Sequence, residues 1–467
     1  MMDLYKADMH LILKNSTNFL AEVHNISYYN RIVFIIDTLL KEDNIEEDKY
    51  SAYIDEITSY LVQNDEESSL LLTLLFDFDQ IQNILTLIPK LSENILEKTL
   101  EFILLSFKQQ TNDNIKSISD CALFISKLLL KDINQQCKCI IYEILSNYVN
   151  FAIDIISEDF IHFVVQDYYE SIKIEIFRCT CDHIIIFMAC FLDKIGNNAP
   201  EDYIRLLFEW WLNPSTNYIS TLQYLLPIIK SHLDIFIEHC HKRYDFFERI
   251  LSKSINLSPE EHFLKYYEEL TDFFRLIVSN STQKFYLKLF RIGFIQNIYN
   301  ILNAFESYNF SKVHKRIYSI IGIIMSQSPT IADFFAENIE IFHKLLPDNI
   351  SEISSEHKHC ILKLFSRLSP LLSTSSIKNI FGSQDFIHIL ICGILEYHQK
   401  LGTNCIIGMT KLLHDYPNCQ VSVLTHDSIN ESDLFDYYYD SEIDNEEFET
   451  AMNNFIYFFE KFSEKSH

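Results

Sequence analysis

The chain has 467 residues, 48% of them hydrophobic, a net charge of −27, and only seven glycines and nine prolines. So few turn-forming residues exclude a turn-rich all-β fold, and seven glycines leave almost nothing from which to build phosphate-cradling loops. The negative field repels nucleic-acid backbones and anionic lipid surfaces, so other proteins are the expected partners, with no nucleic acid and no membrane.

The opening MMDLYKADMHLILK has no basic region followed by a long apolar one, so no signal peptide is expected. The longest apolar run, Ile184 to Leu192, is about half the length that spans a bilayer. The eleven cysteines lie inside apolar helical runs, as Cys121, Cys190 and Cys392 do, which predicts free thiols in a reducing compartment. A cytoplasmic protein is expected, with the nucleus as the alternative.

Residues 1–60 carry helix-period segments, HLILKNSTNFLAEV and RIVFIIDTLLKE, and read as an irregular N-terminal cap. Residues 61–426 read as the repeats, and from about residue 60 onward the ends of apolar helices are marked at Ile88, Leu130, Tyr168, Trp211, Leu251, Leu302, Leu346, Leu395 and Leu434, about 38 to 51 residues apart. That range overlaps the roughly 40 to 47 residues of armadillo and HEAT units, and predicts eight or nine repeats. The plainest unit runs from Val313 to Leu346. Ile317, Ile320, Ile321 and Ile324 form one helical stripe, Ser328 and Pro329 start a second helix, and Ile339, Phe342, Leu345 and Leu346 line a third. None of these helices can bury its apolar face alone, so neighbouring copies must cover it.

This unit, HKRIYSIIGIIMSQSPTIADFFAENIEIFHKLL, resembles the third helix of one armadillo repeat running into the first two of the next. LKLFRIGFIQNIYNIL repeats the join, with Gly293 where that family places its glycine, and ILEKTLEFILLSFKQQTNDNIKSISDCALFISKLLL follows the same pattern. The resemblance implies an all-α, right-handed α-solenoid, an armadillo/HEAT-like superhelix. It also implies a protein-binding groove lined by the third helices. Armadillo proteins that hold extended peptides carry a ladder of Trp and Asn there. Here the Asn position holds Asn147, Ile323, Arg367 and Lys411, and the Trp position Glu143, Ser319 and Lys363, which argues against a nuclear-import adaptor. The two tryptophans, Trp210 and Trp211, are adjacent and so face different ways on a helix.

After residue 426 the character changes. Residues 427–447 read as an acidic linker: ten carboxylates fall between Asp427 and Glu449, and no Lys or Arg occurs between Lys411 and Lys461. Residues 448–467 read as an amphipathic helix on Phe448, Met452, Phe455, Phe459 and Phe462.

Metal-like spacings occur and fall short of a full ligand set. In Cys179-x-Cys181-x-His183 only Cys179 and His183 share a helix face; Cys137 and Cys139 form another C-x-C. His239, Cys240 and His241 are consecutive, and His357, His359 and Cys360 open a helix. No metal and no cofactor is expected. No nucleophile elbow, Walker loop, dinucleotide fingerprint or H-E-x-x-H appears, so no catalytic residue is assigned and the chain reads as a non-enzyme. Aromatic pairs such as Phe246-Phe247, Tyr266-Tyr267 and Phe273-Phe274 are expected to pack one ring in the core and lay the other over the next helix.

The scarce cations Arg316, Lys363, Arg367 and Lys411 fall on the third helices of three consecutive units, with Lys363 and Arg367 on one face at i and i+4. A cationic strip in an acidic chain would select an acidic or extended peptide segment. It could also be held by the chain's own tail, through Asp433, Asp436, Asp440 and Glu442, with Tyr437, Tyr438 and Tyr439 as phosphorylation points. The function expected is a non-catalytic interaction scaffold or adaptor; the alternative is the regulatory subunit of an enzyme assembly, phosphatase-like.

Overall fold

The computed structural model describes residues 23–41, 46–63, 80–87, 91–108, 115–131, 133–149, 153, 156–243, 245–255, 261–304, 312–327, 354–369, 371, 400–415 and 446–466. Among these are nineteen α-helices, two short 3-10 turns and no strand. The helices predicted from Ser328 to Leu346, the segment HLILKNSTNFLAEV up to Glu22 and the acidic segment up to Asn445 lie outside the described residues. The chain divides into two compact units, Met1–His232 and Leu233–His467.

In the first unit the helices are α1 (Val23–Lys41), α2 (Glu47–Gln63), α3 (Gln80–Leu87), α4 (Glu93–Lys108), α5 (Ile115–Leu128), α6 (Gln135–Val149), α7 (Glu158–Ser171), α8 (Arg178–Ile195), α9 (Glu201–Trp211) and α10 (Tyr218–Ser231). Local sequence sets their ends. Ser157 caps α7 by accepting from the Phe160 amide, Gly196 at φ 62° stops α8, and Asn217 caps α10. Helices α2, α4, α6, α8 and α10 stack in order as one row, and α1, α3 and α5 form a second row against it. Adjacent members of the first row run parallel: Gln135 of α6 meets Thr180 of α8, and further along Glu143 meets His183.

The rows are joined by aromatic packing. Trp210 of α9 stacks on Tyr168 of α7 with centroids 4.0 Å apart, while Trp211 turns the other way and donates its indole N–H to Thr221 of α10 at 2.9 Å. Adjacent positions on one helix thus serve two different neighbours, as their spacing predicts.

The second unit contains α11 (Leu233–Lys242), α12 (Asp245–Ile255), α13 (Glu261–Asn280), α14 (Gln283–Arg291), α15 (Phe294–Ala304), α16 (Lys312–Met325), α17 (Ser355–Leu368), α18 (Lys400–Asp415) and α19 (Glu446–Ser466). The first six form two triplets of short, short and longer helices, 10, 11 and 20 residues and then 9, 11 and 14. Gly293 sits at the join of α14 and α15 with φ +69°, and no atom lies within 4 Å of where a Cβ would be. The left-handed backbone, rather than space, calls for glycine there. By contrast, from Ile115 to Ser231 the described helices come in pairs.

The longer helices α13, α16, α17, α18 and α19 stack in order. Ile317, Ile320, Ile321 and Ile324 of α16 are all buried, as their spacing predicts. The aromatic pairs Phe246-Phe247, Tyr266-Tyr267 and Phe273-Phe274 are buried at both positions. Phe247 stacks with Phe273 and meets Phe285 edge-on, and Phe274 meets Phe294 edge-on, so these second rings fill seams to later helices, whereas the Tyr267 hydroxyl donates back to the Ser254 carbonyl of α12. On α19, Phe448, Met452 and Phe455 are buried, and the helix packs on α18. Among the described residues the fold is an all-helical array of repeats, paired from Ile115 to Ser231 and tripled from Leu233 to Met325.

Candidate functional site: a cationic face on α16 and α17

The four cations singled out by the sequence are not equivalent. Arg316 leaves α16 toward α13, where its guanidinium donates to the Glu268 carbonyl and its Nε lies 3.7 Å from the Asp272 carboxylate, which Arg275 also holds at 2.9 Å. Lys411 of α18 donates from Nζ to the Ser369 carbonyl at 2.8 Å, a cation set on the C-terminal end of α17. Burial there lowers its pKa. Lys363 and Arg367 stand exposed on α17, one turn apart, and no acidic partner meets either among the described residues.

Around Lys363 and Arg367 the surface offers only a small cleft. Lys315, Tyr318 and Ser319 of α16 and Cys360, Lys363, Leu364 and Arg367 of α17 enclose about 50 Å³. That is room for little more than one or two waters, so this face can bind a chain laid across it and not a small molecule held within it. Lys315 is turned to Glu356 in an ion pair. Beneath the face Tyr318 and His357 share a hydrogen bond of 2.8 Å, and burial, with a smaller push from His314, lowers the His357 pKa to about 4.

The seam closes tightly further along. Gly322 of α16 leaves a gap of 3.3 Å to Leu364 and 3.4 Å to Arg367 from an added Cβ, whereas a Cβ on Gly408 of α18 would come within 2.8 Å of Ser369 and collide with the Phe365 ring. Only glycine lets α17 and α18 approach this closely.

In the first unit a groove of about 290 Å³ is lined by Leu123, Leu130, Tyr148, Phe160 and Phe163 among others, with little polar chemistry converging on it. Of the metal-like spacings, one gains a partner from the fold. Cys179 and His183 share a face of α8, Sγ to Nδ1 3.7 Å, and Cys139 of α6 comes to the same place; the three ligand atoms lie within 4.8 Å of one another. Cys181 points into the core instead, where burial pushes its thiol up to about 12. Sequence reasoning noted Cys139 as half of a C-x-C pair with Cys137 and missed that it joins Cys179 and His183, because they lie one repeat away. The signal was available as an equal offset: 139 to 179 and 143 to 183 are both 40 residues. His239 donates from Nδ1 to the Ile235 carbonyl at 3.0 Å.

No protein-family model matches the sequence, and no curated protein matches it. Among solved structures, an engineered protein aligns with TM-score 0.55 at 11% identity, over 92% of this chain and 99% of its own. At that identity the likeness concerns the fold alone. A structure from work on a conserved phosphorylation switch controlling the interaction between cadherin and beta-catenin reaches 0.47 at 9% identity over 93% of this chain and 89% of that one. The karyopherin Kap121p bound to the extreme C-terminus of the protein phosphatase Cdc14p reaches 0.34 at 12% identity, over 96% and 52%. These two are too distant to carry an argument. Among the described residues no helix is long and apolar enough to cross a membrane.

Proposed function

We propose that the chain is a non-catalytic protein-interaction scaffold or adaptor of the cytoplasm or nucleus, and that its α16–α17 face takes an acidic, extended segment of a partner protein. The observation that carries this reading is the pair Lys363 and Arg367, exposed and without an acidic partner among the described residues in a chain of net charge −27. In so acidic a chain, two cations one turn apart without a carboxylate between them form a local minimum of negative potential, which steers an acidic segment to that place. Arg316 and Lys411, held by Asp272 and the Ser369 carbonyl, bracket the pair and stiffen the helices that present it.

The test is direct binding of a panel of acidic peptides to the full chain by fluorescence anisotropy at low and high salt. Reversal of both charges, Lys363→Glu with Arg367→Glu, is expected to weaken the binders at least tenfold at low salt and to flatten their salt dependence. Peptides that bind the reversed protein as tightly as the original would overturn the assignment of this face.

A further inference from the structure

We propose that Cys139, Cys179 and His183 form a zinc site across the seam between α6 and α8, with Glu143 set behind the imidazole and a fourth position open to water. The proposal runs against the absence of metal expected from spacing alone, and it rests on what parallel repeats bring together.

Two helix turns face each other in register here. Cys139 and Glu143 are one turn apart on α6, Cys179 and His183 one turn apart on α8, and the parallel packing sets sulfur opposite sulfur and carboxylate opposite imidazole. The two thiols and the ring nitrogen already lie within 4.8 Å of one another, and Cys179 Sγ is 3.7 Å from His183 Nδ1. A tetrahedral site with zinc–sulfur bonds of about 2.3 Å and zinc–nitrogen bonds of about 2.0 Å has ligand-to-ligand edges of about 3.5 to 3.8 Å. One edge is therefore formed, and small side-chain rotations close the others.

The surroundings complete the chemistry. The far nitrogen of the ring, Nε2, is 3.8 Å from Glu143 Oε2, the place where metal-bound histidines commonly carry an orienting carboxylate, and Lys108 fixes the other oxygen of Glu143 at 2.6 Å. Cys139 is buried while Cys179 reaches solvent, so an ion can enter from the Cys179 side and keep a water there. Two thiolates and an imidazole select a soft or borderline ion such as zinc over calcium or magnesium.

Without metal these groups occupy each other and their neighbours: His183 Nδ1 meets the Cys179 carbonyl at 2.9 Å, and Cys139 meets Thr180 at 3.6 Å. Binding exchanges those contacts for three bonds to the ion. It sends two thiol protons to the buffer, and the ring presents the Nδ1 lone pair with its proton on Nε2 toward Glu143.

The test uses the full chain, reduced and stripped of metal, titrated with zinc against a chromophoric chelator and separately with cobalt(II) to read thiolate-to-cobalt absorption. One tight equivalent with a cobalt–thiolate band is expected. Cys179→Ser and His183→Ala, both at solvent-reached positions and checked for folding by circular dichroism, should each weaken zinc at least tenfold. Glu143→Gln should weaken it by about ten- to a hundredfold, the range seen for orienting partners. Cys360→Ser, in the other unit, should change nothing. A cobalt band of equal strength in Cys179→Ser, or no tight equivalent in the parent chain, would overturn the site.

Discussion

Asp167 is buried to 5% exposure and holds two partners from α6 at once: Lys138 Nζ donates to one carboxylate oxygen at 2.8 Å, and the Tyr142 hydroxyl donates to the other at 2.7 Å. The pair ties α7 to α6 where the two rows meet. Breaking such a pair from one side leaves a charge without compensation, at a cost of about 3 to 5 kcal/mol. Lys138→Met is therefore expected to lower the urea midpoint strongly. Lys138→Met combined with Asp167→Leu should recover much of the loss, because no bare carboxylate is left inside. Equal midpoints for the single and double variants would contradict this account.

Glycine in a helix costs roughly 1 kcal/mol relative to alanine, so alanine substitutions separate close packing from mere tolerance. Gly408→Ala drives a methyl into Phe365 and Ser369 and should destabilise by about 1 to 3 kcal/mol. Gly322→Ala meets only the ends of Leu364 and Arg367, which can give way, and should be neutral or stabilising. Thermal melts of the two variants, run side by side, check the contrast.

His357 stays neutral in the fold because burial, with His314 nearby, holds its pKa near 4 against an unfolded value of 6.5. The unfolded chain thus binds a proton before the folded one does, and stability falls as pH drops from about 6.5 toward 4. His357→Gln removes that proton, so its urea midpoint should fall less than the parent's between pH 7 and pH 5. A parallel decline would mean that other groups, such as the carboxylates, set the acid limit.

On α19, Met452 and Phe455 are fully buried against the second unit. Met452→Ala is expected to cost about 2 to 5 kcal/mol, while Tyr457→Ala, at a position 60% exposed, should stay within about 0.5 kcal/mol. Hydrogen exchange on α18 reads the difference: its amides should lose protection in Met452→Ala alone.

The helical stripes were legible because burial obeys the 3.6-residue period: Ile317 to Ile324 needed no tertiary information to be placed inside. Gly293 was legible only through its place in the armadillo resemblance; the left-handed backbone that explains it is seen in the structure. The pairing of helices from Ile115 to Ser231 was not, because a missing short helix changes the length of a repeat by no more than a loop does. Likewise the cations were placed on their helices, but the fate of Arg316 and Lys411 depended on what the preceding long helix offers. Asp272 lies 44 positions before Arg316 and Ser369 lies 42 before Lys411, and no periodicity within a helix announces either. The meeting of Cys139 with Cys179 and His183 escaped for the same reason, as those partners lie in the following repeat.

The parallel run of neighbouring helices has an electrical side. The long helices of the second unit run parallel too, since Lys312 and Arg316 meet Glu268 and Asp272 in the same order and Gly408 and Lys411 meet Phe365 and Ser369. In each stack of long helices the amino ends therefore gather along one edge and the carboxyl ends along the other as a fixed dipole layer. Lys411 on the last carbonyls of α17 is one answer to the negative edge. Ser354, capping the opposite end of the same helix by accepting from the His357 amide, is the answer to the positive edge. A strongly acidic protein built this way is not uniformly repellent: an anionic segment approaching the edge of amino ends meets a weaker barrier than one approaching the edge of carboxyl ends, and so arrives with a preferred orientation before any side chain touches it.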